Sequence, residues 1–199
     1  LKTGFRWPAD HHHLTIAWDR VPAGTDIKMP WELSRCQHFV TLALADREAP
    51  DSRYYEEFKR QTGDWIKSNP CGFGVNWVCA MDVAFRAVNW LSAAALFRER
   101  IEADEGSGIF FSGLVESLWL HGRHIARNLE WQGPRSASLA NHFLADLCGL
   151  MAVGILFRDT DQGGRWLDFG RHWFEREALR QVFDDGANFE TSISYHRLS

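Results

Sequence analysis

The chain has 199 residues and a formal net charge of −4, a length at which one domain buries roughly 70% of its unfolded surface. Its pI near 6.1 provides no basic field for nucleic acid, and no run approaches the roughly 18 apolar residues of a membrane span. An acidic ligand would therefore need a local cluster of Arg and His.

Residues 1–29 read as irregular, because Pro8, Pro22, Gly24 and the run His11, His12, His13 break any period, and they lack the charged, apolar and small-residue regions of a signal peptide. From Pro30, which suits a first helical turn, the spacing becomes helical. The first predicted helix, about 30–47, carries Leu33, Cys36, Phe39, Val40, Ala43 and Leu44 at three- and four-residue steps. Asp51 caps a second, about 52–68, which Asn69 and Pro70 close. The segment about 76–103 repeats the pattern with Met81, Ala84, Phe85, Val88, Leu91, Ala95 and Leu96. Three more follow at about 108–130, 137–158 and 163–183, separated by "WQGPRS" and "RDTDQGG". No strand alternation stands out. Six helices joined by short Gly- or Pro-containing turns predict an all-α array of three helical hairpins over residues 30–199, a solenoid or a toroid.

Ten Trp and fourteen Phe beside three Tyr suit thick helix packing or carbohydrate stacking, and a plain core accounts for most of those rings. Cys36, Cys71, Cys79 and Cys148 are widely spaced with no CxxC, so they read as buried free thiols rather than zinc ligands or a disulfide framework. HExxH is absent, the histidine triplet lacks i,i+4 geometry, and His121-x-x-His124 has no Cys or Glu at ligand spacing. No metal site is expected. GxSxG, a Walker loop and GxGxxG are missing as well, so no phosphate or dinucleotide cofactor is expected.

Polar residues then stand out where packing does not ask for them. Asp82, Arg86 and Asn89 share a face near an apolar stripe, and read equally as a solvated i,i+4 pair or as a row lining a cavity. Trp31, Arg35 and His38 share a face of the first helix, and His121, His124, Arg127 and Asn128 form a similar row. Asn141 and His142 lie side by side in an otherwise apolar helix, where a buried polar group costs roughly 1–3 kcal/mol unless partnered.

Five pieces of the chain, "KMPWELSR" (28–35), "NPCGFGVNWVCAMDVAFRAVNWL" (69–91), "HGRHIARNLE" (121–130), "NHFLADLCGL" (141–150) and "DDGANFETSISYHR" (184–197), resemble the toroidal N-terminal domain of the heparinase II/III-like and alginate-lyase-like polysaccharide lyases. They fall in the family's order. The resemblance implies an incomplete (α/α) toroid that stops before a C-terminal β-sandwich, and cleavage of a uronic-acid polysaccharide by β-elimination. It implies catalytic roles for Asn141, which would neutralise the uronate carboxylate, His142 as a base or its helper, and Tyr195, which would protonate the leaving oxygen and could also abstract the proton. Arg35, His38, Trp77, Arg86, Asn89, Glu190 and His196 are the expected substrate contacts, the partner is an anionic polysaccharide, and the location is periplasmic or secreted. Two rival readings stay open: a toroidal glycoside hydrolase, for which Asp82, Glu116, Glu130 and Glu190 supply carboxylates but no evident pair, and a non-catalytic sugar-binding domain.

Overall fold

The computed structural model describes residues 4–131 and 140–187. Among these, eight α-helices follow one another: α1 (Lys28–Ser34), α2 (His38–Glu48), α3 (Ser52–Ser68), α4 (Ala80–Leu96), α5 (Arg98–Ala103), α6 (Ser107–Arg127), α7 (Ala140–Leu156) and α8 (Asp161–Gln181). No strand is present among the described residues. The irregular N-terminal segment is tied down by an antiparallel bridge between His12 and Phe73.

Local chemistry sets several helix ends. Asp51 accepts from the Arg53 amide at 2.9 Å and starts α3, and the Thr160 hydroxyl accepts from Gly163 at 3.0 Å to start α8. Two expected helices are broken. The first divides into α1 and α2 at Arg35–Gln37, where Cys36 adopts φ 55°. The third divides into a short 3-10 turn at Val75–Trp77, then α4 and α5, with Phe97 marking the last break.

The helices form two layers. α2, α4 and α7 lie side by side, and α3, α6 and α8 pack against them as hairpin partners, with α4 at the centre touching α1, α2, α5, α6 and α7. Rings fill the space between layers: Phe39 meets Phe58 edge-on at 5.2 Å, Trp65 meets Trp90 at 5.3 Å and 90°, and Phe58 stacks on Phe97. The four thiols are free, but only Cys36 and Cys79 are buried. Cys71 is half-buried, and Cys148 is exposed because it falls on the outer face of α7 rather than its packed stripe.

α7 approaches α4 closely because Gly149 has no side chain. A Cβ there would lie 2.5 Å from Ala84 Cβ and 2.7 Å from its Cα. Gly149→Ala is therefore expected to lower stability by about 1–3 kcal/mol through overpacking, read as a lower denaturant midpoint, with part recovered by adding Ala84→Gly. An unchanged midpoint would mean that the two helices have room to part.

A second tie holds α5 to α2. Arg100 donates to both oxygens of buried Asp46 at 2.8 and 3.0 Å, and the Asp51 amide adds a third bond at 2.9 Å. The Arg100 hydrogen bonds hold the Asp46 carboxyl below the usual aspartate range, against the opposing effect of burial. With the folded value below the unfolded value of about 3.9, the contribution is complete above that pH and is lost as pH falls through the folded value. Thermal melts of wild type and Asp46→Asn should therefore differ most at neutral pH and converge below about pH 4. A gap that stays constant on acidification would contradict the ion pair.

Candidate active site

The first turn of α7 places Asn141 and His142 beside the residues that follow α6. Asn141 is buried at 5% exposure, and its Oδ1 accepts from the His142 amide at 2.9 Å. Its Nδ2 has no hydrogen-bond partner among the described residues. The His142 ring reaches Glu130, Nδ1 to Oε2 at 3.0 Å, with both side chains still about a quarter to a fifth exposed, 25% and 21%.

Glu130 gathers three elements at one carboxylate. Besides His142, its Oε2 accepts from the Met81 amide at 3.2 Å and the Cys79 thiol at 3.7 Å, at the start of α4. Its own amide donates to Asp146 Oδ2 at 2.7 Å, one turn along α7 from His142. Asp146 is fully buried, and burial raises its carboxyl well above the usual aspartate range. An ionised Glu130 selects the His142 tautomer with the proton on Nδ1, leaving Nε2 with a lone pair to accept a proton. This is a carboxylate-oriented imidazole next to a carboxamide.

The same hub is the place where a metal ion would find ligands. The Cys79 sulfur, a Glu130 oxygen and a His142 nitrogen lie within 4.8 Å of one another. Burial first, then the charges of Asp82 and Glu130, push the Cys79 thiol up and oppose the thiolate that a metal needs. Sequence spacing hid this set because the three residues come from three separate segments.

The structure gathers some of the other expected residues and scatters the rest. Arg35 Nε donates to Asp82 Oδ1 at 2.6 Å, its NH1 meets Glu32 at 2.9 Å, and Asn89 donates to the Arg35 carbonyl at 2.9 Å. Asp82 in turn neighbours Cys79, so Arg35 and Asn89 connect to the Glu130 hub through a polar chain. His38 is turned away by the break at Cys36, exposed and bonded to Gln61 at 2.8 Å. Trp77 and Arg86 lie in the core, 1% and 0% exposed. Glu190, Tyr195 and His196 lie outside the described residues.

Arg86 is committed on every side. Nε donates to His121 Nε2 at 2.8 Å, NH1 to Ser34 Oγ at 3.2 Å and NH2 to the Asn76 carbonyl at 3.3 Å, while the guanidinium sits 4.1 Å above the Trp65 ring. Burial lowers it to about 10, leaving it charged at neutral pH. Burial and the neighbouring Arg86 charge likewise keep His121 neutral, so it can accept. Asp82, the i,i+4 partner of Arg86 in one of the two sequence readings, pairs with Arg35 instead.

Sequence reasoning weighed Glu130 only as a hydrolase carboxylate, and did not single out Cys79 or Asp146 for the site. The one signal was the position of Glu130 at the end of "HGRHIARNLE", after the basic last turn of α6.

The family model described as Heparinase II/III N-terminus matches residues 3–199, and the chain belongs to that family. It is 24% identical over 186 residues to a heparin-sulfate lyase of Pedobacter heparinus, covering 91% of this chain and 26% of that protein. It is 25% identical over 209 residues to a heparin-sulfate lyase of Bacteroides stercoris, covering 95% and 30%. The chain thus spans less than a third of the length of these relatives. Among solved structures, the fold is similar to heparan sulfate lyase HepC from Pedobacter heparinus, with TM-score 0.67, 24% identity and coverage of 91% and 27%. It is also similar to the Heparinase III-BT4657 gene product, with TM-score 0.64, 25% identity and coverage of 88% and 29%. The fold is that of their helical toroid, as an incomplete ring of hairpins.

Because Arg86 is enclosed, Arg86→Met should act on folding first, lowering stability by about 3 kcal/mol or more as His121, Ser34 and Asn76 lose their donor in the core. Denaturant titration measures it. Full stability with weakened sugar binding would instead make Arg86 a ligand contact.

Proposed function

We propose that the protein carrying this chain is a lyase that cleaves a uronic-acid-containing polysaccharide of the glycosaminoglycan type by β-elimination. The observation that carries the reading is the His142–Glu130 hydrogen bond at 3.0 Å beside Asn141, in a chain of the heparinase II/III N-terminal family.

The chemistry demands these groups. The C5 proton of a uronate is weakly acidic while the adjacent carboxylate stays charged, so donors must neutralise that charge as the enolate develops. The Asn141 carboxamide is suited to this and keeps Nδ2 hydrogens for it. His142 Nε2 takes the C5 proton, with Glu130 holding the ring and stabilising the imidazolium. The C4–O4 bond then breaks, a C4–C5 double bond forms, and Tyr195 delivers a proton to the departing oxygen. The role of Tyr195 follows from the family resemblance in "ETSISYH". Arg35 and Asn89 reach the site as a supporting polar chain. A large polysaccharide is met outside the cytoplasm, which favours a periplasmic or secreted location.

His142→Ala and Asn141→Ala in the full-length protein are each expected to reduce kcat by about 10²–10⁴-fold, with smaller changes in KM. Glu130→Gln should cost less. Turnover is followed by the ultraviolet absorbance of the unsaturated uronate product, which only elimination creates. Hydrolytic products without that absorbance, or turnover that survives both substitutions, would overturn the proposal.

A further inference from the structure

We propose a second anion-binding groove on the side of α6 turned toward the N-terminal segment and α8, built to hold acidic groups of a polysaccharide chain outside the catalytic centre. Its ligand identity rests on the lyase reading above; its existence rests on the groove itself.

Arg123 and Arg127 stand one turn apart on α6, both exposed, and neither makes an ion pair or hydrogen bond among the described residues. Like charges at i,i+4 cost a helix a few tenths of a kcal/mol. The C-terminal dipole of α6 favours Arg127, but that effect fades within a turn and does little for Arg123. The two guanidinium groups are shared by adjoining cavities. One, of about 460 Å³, continues past His13 and His124 to Asn128. The other, of about 320 Å³, continues past Trp119 and Trp166. Neither is lined by a carboxylate among the described residues, in a chain with net charge −4.

Each cavity is also lined by a buried ring, His124 at 6% exposure and Trp166 at 3%. Burial, with His13 and Arg86 nearby, lowers His124 to about 3, so the ring is neutral and adds no charge to that lobe. The arrangement is two cations at the middle, an imidazole lobe on one side and an indole lobe on the other. It fits an extended anionic sugar, with oxyanions on the arginines and ring faces against tryptophan. Asn128 lies two residues before Glu130, so the groove ends close to the candidate active site.

The test uses full-length protein inactivated by Asn141→Ala and His142→Ala, with a sulfated uronate octasaccharide and its desulfated counterpart as probes in calorimetry. Adding Arg123→Gln and Arg127→Gln should weaken binding of the sulfated probe at least tenfold and flatten its salt dependence. A parallel variant, Arg53→Gln with Arg98→Gln, removes the same charge from exposed sites elsewhere and should bind as before. An equal loss on the desulfated probe would assign the groove to carboxylates, and a loss confined to the sulfated probe would assign it to sulfate esters; either supports the groove. Unchanged affinity in the Arg123/Arg127 variant, or an equal loss in the Arg53/Arg98 variant, overturns it. Since binding is measured without turnover, failure of the elimination chemistry would show separately, as absence of unsaturated product from the unmodified enzyme.

Discussion

A guanidinium with no water around it organises this fold. Arg86 lies fully buried, and its donors are answered by an imidazole on α6, a hydroxyl at the end of α1 and a carbonyl in the 75–77 turn, with the Trp65 and Trp77 rings on its faces. A buried charge tolerates little displacement, because each lost partner exposes it to a low-dielectric interior. The arginine therefore pins α4, α6 and the preceding turns into one register. His121 serves by staying neutral, so that Nε2 can accept what Arg86 donates.

That register has a direct chemical consequence. With α6 fixed on α4, the chain leaving α6 carries Glu130 over the first residues of α4, where the Met81 amide and Cys79 thiol meet it. Gly149 lets α7 close on α4 at Ala84, and the same helix delivers His142 to the other side of that carboxylate. A one-residue slip of either helix would separate the pair. Buried Asp146 accepts the Glu130 amide, and its burial disfavours the charged form of its carboxyl. The His142 ring is thus oriented by groups drawn from α4, α7 and the segment that follows α6.

Much of this was legible from sequence where the chemistry is local. Asp51 announces α3, Asn69 and Pro70 end it, and apolar spacing locates the inner faces of α4 and α6. The all-α hairpin array follows from those signals. What stayed hidden depends on distant partners. Cys36 takes a left-handed conformation with no glycine or proline to mark it, so the apparent row of Trp31, Arg35 and His38 is split. Asp82 and Arg86 have the spacing of a surface ion pair, yet Asp82 answers Arg35 and Arg86 answers His121. Periodicity says which side of a helix a residue occupies, not which of several competing partners claims it. Asn141 and His142 were recognisable as polar intruders, but Glu130, which orients the ring, is separated from them by a loop and carried no signal of that role.

The same separation between local pattern and distant partner bears on how an overall acidic chain could carry the anion groove proposed above. Beyond a Debye length, about 8 Å at physiological ionic strength, the field of the net charge is largely screened. Within that distance the arrangement of individual groups decides. Here acids are consumed internally, Asp46 by Arg100, Asp82 by Arg35 and Asp104 by Lys59, while Arg123 and Arg127 are left without acidic partners among the described residues. An anion approaching the end of α6 meets unneutralised cations first, and the carboxylate it would find nearby, Glu130, is already engaged by His142. Local pairing, rather than total charge, decides which charges each edge of this molecule presents.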